Sequence, residues 1–124
     1  MRILIADDSL LIRTQLKDLL ASLLSAEFEE AVNGVEALEK HRTFKPHVVI
    51  LDYIMDAPDG LAVLKILSKI DKKVKIVMTT TLGKQKFIYK DCLANGALAI
   101  LSKPITPENV VKVIQILKLN NQED

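Results

Sequence analysis

Cys92 is the single cysteine of the chain, so neither an intrachain disulfide framework nor a Cys-based zinc cluster can form, and a reducing compartment suits it. An excess of charge of one sign is also missing, with 17 Lys plus Arg against 16 Asp plus Glu. That balance gives no basic footprint for nucleic acid and no pull toward an acidic membrane. There is no long hydrophobic run at the start. Met1-Arg2 leads into Ile3-Leu4-Ile5-Ala6 and then into two aspartates, too short for a signal-peptide core or a membrane span. A soluble, cytoplasmic protein is expected. Internal repeats, low-complexity segments and an interdomain linker are absent as well. What is present is apolar bulk: 49% of 124 residues are hydrophobic, enough for one substantial core. One domain over residues 1–119 is expected, followed by a polar tail, Asn120 to Asp124, that should fray.

Four short apolar runs, Ile3 to Ala6, Val48 to Leu51, Val74 to Met78 and Ala97 to Leu101, read as strands buried on both faces. Glu27 to Ala31 is weaker and reads as an exposed edge strand. Between the runs the spacing turns helical. Ile12, Leu16, Leu19, Leu20 and Leu23 share a core-facing stripe on a helix beginning near Ser9, and Leu61, Leu64 and Leu67 do so after Gly60. Asn33-Gly34 opens a shorter helix carrying Val35 and Leu38. Another helix starts near Lys84 and ends at Asn95-Gly96, with the glycine suited to the left-handed position beyond the cap. Thr106-Pro107 is a helix start followed by Val110, Val113, Ile114 and Leu117. Five β-α repeats imply an α/β fold, an open parallel sheet with helices on both faces.

In such sheets ligands bind outside the carboxyl ends of the strands. Asp7 and Asp8 follow the first run, Asp52 follows the third strand, Thr79 ends the fourth and Lys103 lies just beyond the fifth. Three carboxylates in one cleft repel each other and call for a proton or a cation. A hard divalent ion, Mg²⁺, suits oxygen ligands and would also neutralise an incoming phosphoryl group, whose transfer depends on positioning and charge. Asp52 could then act as a nucleophile forming an acyl phosphate, with Thr79 donating to one phosphoryl oxygen and Lys103 pairing with another.

Taken together, Asp7-Asp8, Leu51-Asp52, Asp59-Gly60-Leu61, Thr79, Asn95-Gly96-Ala97 and Ser102-Lys103-Pro104 make the chain resemble the response-regulator receiver family, in particular its stand-alone chemotaxis-type (CheY-like) members. The likeness covers essentially the whole chain and rests on joint order and spacing rather than on any one motif. It implies a doubly wound, flavodoxin-like (βα)5 sheet in the order 2-1-3-4-5. It further implies Mg²⁺ bound by Asp8, Asp52 and the backbone carbonyl of Ile54, with Asp7 acting through water. Asp52 would be the phosphoacceptor, Thr79 the switch hydroxyl and Lys103 the phosphoryl partner. A histidine kinase or phosphotransfer protein would be the donor. Output would pass by protein contacts through the face of the fourth helix, fifth strand and fifth helix, from a monomer or weak dimer that is a switch rather than a multiple-turnover enzyme.

The chain also departs from that family's pattern. Asp56 stands where a proline is usual four residues after the acceptor, with Pro58 two residues later, so a reshaped loop is expected. Ile100 replaces the usual switching Tyr or Phe, and Tyr89 is a neighbouring substitute. Ile54 and Thr81 occupy positions that tune the lifetime of the acyl phosphate.

Each residue has a plainer reading: Asp7-Asp8 as acids before a helix start, Asp52 as a turn residue, Lys103-Pro104 as an ordinary loop. Together with Thr79 these plain readings lose force. His41 and His47, on the opposite edge, read as surface residues, Cys92 as a small buried hydrophobe, and Asp71-Lys72-Lys73 as a solvated loop. Rival functions are a degenerate receiver serving as a scaffold and an aspartyl-phosphate phosphohydrolase. The latter needs a second carboxylate two residues after a nucleophile on the first strand, and Asp7-Asp8-Ser9-Leu10 lacks it. A dinucleotide-binding protein would need a glycine-rich turn there, which Asp8-Ser9-Leu10-Leu11 does not supply.

Overall fold

A computed structural model describes residues 1–81 and 85–122, with side chains through Lys118. Successive residues of a strand face opposite sides of a sheet, and here both sides are filled with apolar groups. The strands are β1 (Arg2–Ala6), β2 (Glu27–Ala31), β3 (Val48–Asp52), β4 (Lys75–Thr80) and β5 (Ala99–Ser102). All pair in parallel in the order β2-β1-β3-β4-β5. Helices α1 (Leu10–Leu23), α2 (Gly34–Phe44), α3 (Gly60–Ile70), α4 (Lys86–Ala94) and α5 (Pro107–Gln122) follow the strands in turn. This is the doubly wound (βα)5 sheet expected, with β2 at one edge.

Two cores result, one on each face. Leu4, Val49, Leu51 and Met78 pack with Val63, Leu64 and Leu67 of α3 and Ile88 and Cys92 of α4. Ile3, Ile5, Ile50 and Val77 point the other way, onto Leu16 and Leu20 of α1 and Val110, Val113 and Leu117 of α5. Cys92 is thus the buried hydrophobe expected.

Side-chain caps set the helix starts. Ser9 Oγ accepts from the Ile12 amide at 3.3 Å, Asn33 Oδ1 from Glu36 at 2.9 Å, Asp59 Oδ1 from Ala62 at 2.9 Å and Thr106 Oγ1 from Asn109 at 3.2 Å. The expected start of the fourth helix near Lys84 lies outside the described residues. Its end is as expected: Gly96 has φ 109°, the Gly96 amide donates to Leu93 O at 3.2 Å and the Ala97 amide to Cys92 O at 3.0 Å. That double closure is a Schellman motif.

Some boundaries differ from expectation. The Schellman closure engages the Ala97 amide, so the fifth strand begins at Ala99 rather than Ala97. The fourth begins at Lys75 rather than Val74, because Asp71 Oδ1 accepts the Lys73 and Val74 amides at 3.0 and 3.1 Å. Asp71-Lys72-Lys73 is therefore a built turn, not a merely solvated loop. His41 is covered, its side chain 12% exposed, with Nε2 2.9 Å from Asp71 Oδ2. His47 is exposed as expected, and its Nδ1 accepts the Arg2 amide at 2.9 Å. Leu23 leaves the α1 stripe at 45% exposure, since the chain becomes extended at Leu24, which packs on the core instead. Asn120 to Gln122 continue α5, while residues 123 and 124 of the expected tail lie outside the described residues. Among the described residues no helix is long and apolar enough to cross a membrane.

Candidate phosphoacceptor and metal site

Strand register brings the site together. β1 and β3 pair Ala6 with Leu51, so Asp7 and Asp52 emerge side by side at the carboxyl edge. β3 and β4 pair Asp52 with Thr79, and the Lys103 amide donates to Thr80 O at 3.0 Å just beyond β5. From there Lys103 Nζ donates to Asp7 Oδ2 at 2.9 Å and lies 3.3 Å from Asp52 Oδ1. One carboxylate oxygen from each of Asp7, Asp8 and Asp52 lies within 4.8 Å of the others. Asp7 and Asp52 are 1% and 6% exposed, Thr79 is buried, and Asp8 is open to solvent.

The electrostatics are those of a crowded acid site. Burial, and then the neighbouring Asp7 charge, push the Asp52 carboxyl up to about 6, although Lys103 and a hydrogen bond from the Ile54 backbone oppose the shift. Burial alone would lower the Lys103 ammonium, but its hydrogen bond to Asp7 and the charges of Asp52 and Asp7 outweigh that and raise it. One ammonium thus sits among three carboxylates. The donor set is all oxygen, with two carboxylates buried and one facing the entrance. It fits a hard divalent cation that keeps several waters, and it lacks the imidazole or thiolate that softer metals prefer. The side chain of Ile54 points to solvent and is exposed.

Other residues of the site carry less visible signals. Arg13, one turn into α1, donates from Nη1 to the Asp7 carbonyl at 2.8 Å and from Nε to Glu30 Oε1 at 2.9 Å, tying the aspartate loop to β2. Arg13 borders the buried α1 stripe, three and seven residues before Leu16 and Leu20, with its side chain 11% exposed, but helical spacing alone does not name its partners. Gly60 is required by close approach: a Cβ there would collide with the Asp52 carbonyl and with Tyr53. Its amide closes the loop onto Tyr53 O at 3.1 Å, and the Tyr53 amide donates to Thr79 O at 2.9 Å. In the departure loop, Asp56 is exposed and outside the three-carboxylate group, while the Pro58 carbonyl lies against Gly34, where a Cβ would not fit.

Buried acids, a threonine and a lysine thus meet at the carboxyl edge of a doubly wound parallel sheet, the arrangement of an α/β protein whose cleft suits a cation and an anionic oxygen ligand. Residues 3–115 match the response regulator receiver domain family, and the chain belongs to it. The chemotaxis protein CheY of Thermotoga maritima is 34% identical over 113 residues, covering 91% of this chain and 93% of that protein. The structure of CheY4 of Vibrio cholerae superposes with a TM-score of 0.81 at 30% identity, covering 92% of this chain and 95% of that one. CheY of Borrelia burgdorferi, solved in a complex with CheX, BeF₃ and Mg²⁺, gives 0.81 at 31% identity over 94% and 86%. The chain is accordingly a CheY-like response-regulator receiver of two-component signalling, and nothing favours a phosphohydrolase or a bare scaffold.

Proposed function

We propose that Asp52 accepts a phosphoryl group from a phosphohistidine of a kinase or phosphotransfer protein, with Mg²⁺ held by Asp8, Asp52 and the Ile54 carbonyl and with Asp7 contributing through water. The observation that carries this reading is the contact of one lysine with both buried aspartates, 2.9 Å to Asp7 and 3.3 Å to Asp52. An Asp52 oxygen forms the new O–P bond, the donor N–P bond breaks, and the imidazole leaves with the electron pair. The cation supplies charge neutralisation for the transferring group. Lys103 exchanges part of its carboxylate contact for a phosphoryl oxygen, and the Thr79 hydroxyl donates to another. On this reading the protein is a switch that assists its own phosphorylation and hydrolysis rather than a multiple-turnover enzyme.

Output is read through α4, β5 and α5. Thr79 stands at the end of β4, and a hydroxyl drawn toward the phosphoryl group vacates space that packed neighbours refill in discrete steps. Ile100 and Tyr89 share a shallow cavity of about 240 Å³ with residues of α5. Ile100 has no polar tip, so its response is repacking. Amide chemical shifts with and without beryllofluoride and Mg²⁺ test the route. Changes are expected around Asp7, Asp8 and Asp52 and also from Lys86 through Val113, and Thr79→Ala should keep the first group and diminish the second. Changes confined to the acid site in the unsubstituted protein would refute the coupling. Downstream contacts are with protein, in a monomer or weak dimer, and not with nucleic acid or membrane.

A further inference from the structure

We propose that the groove between α2 and α3 is a docking site for an acidic amphipathic helix of a partner protein, used whether or not Asp52 is phosphorylated. The groove has a volume of about 430 Å³ and is lined by Leu38, Glu39, His41, Arg42, Ile66 and Ile70. Its apolar ridge is an i, i+4 pair on the solvent side of α3, with Ile66 40% and Ile70 66% exposed. The inner ridge of the same helix, Val63, Leu64 and Leu67, is completely buried. An amphipathic helix that only covers a sheet has no need of two isoleucines outside its buried stripe.

Charge identifies the occupant. Lys65, Lys69 and Lys72 run along the other flank of that ridge, beside the C-terminal end of α4, and Arg42 stands on the α2 wall. All four are exposed, and none makes an ion pair with a described residue. Glu39 is the one acid among the described lining residues. An apolar trough with three lysines along its α3 flank and Arg42 beside Glu39 on its α2 wall has a net positive rim, complementary to a helix bearing apolar residues at i, i+4 and i+7 flanked by carboxylates, those facing α3 making the main contacts. A second copy of this chain would oppose the same cationic rims to each other in a two-fold contact. A flat bilayer would meet the rims and leave the trough unfilled.

Place in the fold gives the independence from phosphorylation. Gly60, at the start of α3, abuts the Asp52 carbonyl, while Ile70 is ten residues further along, about 15 Å at 1.5 Å per residue. The groove therefore lies toward the opposite end of the sheet from the acid site, and neither α2 nor α3 belongs to the α4-β5-α5 face. The site would tether the receiver to its assembly while the other face switches.

The test titrates the isotope-labelled full chain with a designed helical peptide carrying Leu at i, i+4 and i+7 flanked by Glu, beside a version with Lys in place of Glu. Amide shifts should move within Leu38 to Arg42 and Lys65 to Lys72 for the Glu peptide, with at least tenfold weaker binding of the Lys peptide. Ile66→Ser with Ile70→Ser, and separately Lys65→Glu with Lys69→Glu, should each weaken the Glu peptide at least tenfold while the melting curve stays cooperative. Affinity should be the same within twofold with beryllofluoride and Mg²⁺ present. Equal binding of both peptides, binding of neither, self-association through this face, or capture by anionic phosphatidylserine vesicles in preference to the Glu peptide would each overturn the proposal. Only the beryllofluoride arm rests on Asp52 being the acceptor, and there a change of more than twofold would overturn the independence from phosphorylation; the peptide, variant and vesicle arms stand without it.

Discussion

Asp52 carries two conflicting demands, a charge for nucleophilic attack and a buried position that penalises that charge. Its carboxyl is raised from the ordinary 3.8 to about 6. Between those values the folded protein holds a proton on Asp52 that the unfolded one has lost, so in chelator the Asp52 contribution favours folding most below the ordinary value and that advantage is lost as pH rises through about 6. The full difference corresponds to about 3 kcal/mol. Asp52→Asn should remove most of that slope and stabilise the metal-free protein near neutral pH, measured by urea unfolding from pH 4 to 7.5; an unchanged slope would contradict the burial and crowding described. Much at this scale was legible in the sequence. Each acid directly follows a buried apolar run, and strand geometry forces such residues to a common edge. The Arg13 prop and the His41–Asp71 contact were not legible, because both depend on how a polar side chain of one element meets another across tertiary space.

Elements were legible to the extent that local hydrogen bonding decides them. Ser9, Asn33 and Thr106 cap their helices as residue type predicts, and Gly96 takes the positive φ that favours glycine. Boundaries slipped at Ala97 and Val74, where side-chain or helix-end bonds capture an amide that apolar pattern alone would assign to a strand. Asp71 gathers three such contacts, from Lys73, Val74 and His41. Burial would raise its carboxyl, but the hydrogen bonds to His41, Lys73 and Val74 outweigh burial and lower it. Its contribution is therefore fully present above the ordinary carboxylate value and is lost as pH falls through its lowered value. Asp71→Ala should cost about 1–3 kcal/mol near neutral pH by freeing two amides and a ring nitrogen. The loss should shrink in denaturant titrations as pH falls below the ordinary carboxylate value, whereas a pH-independent loss would mean that the carboxylate charge is not what holds the turn.

For the molecule as a whole, topology follows from alternation. Five β-α repeats with strands buried on both faces leave a parallel sheet with two helical layers, and the 2-1-3-4-5 order came with the family likeness rather than from periodicity. The same topology sets Asp7, Asp8 and Asp52 close enough that a cation binding the native state should stabilise it. At a hundredfold excess over its dissociation constant the gain is about 2.7 kcal/mol. Melting temperature should rise with millimolar Mg²⁺ relative to chelator, and Asp8→Ala should reduce that rise; identical melting in both conditions would remove the metal site. The central claim, that Asp52 is a Mg²⁺-dependent phosphoacceptor, is tested most directly by mass spectrometry of the intact chain after incubation with acetyl phosphate. One phosphoryl group should appear on the unsubstituted protein with Mg²⁺, and none with chelator or on Asp52→Asn. A stoichiometric phosphoryl group on Asp52→Asn, or equal labelling without Mg²⁺, would contradict it.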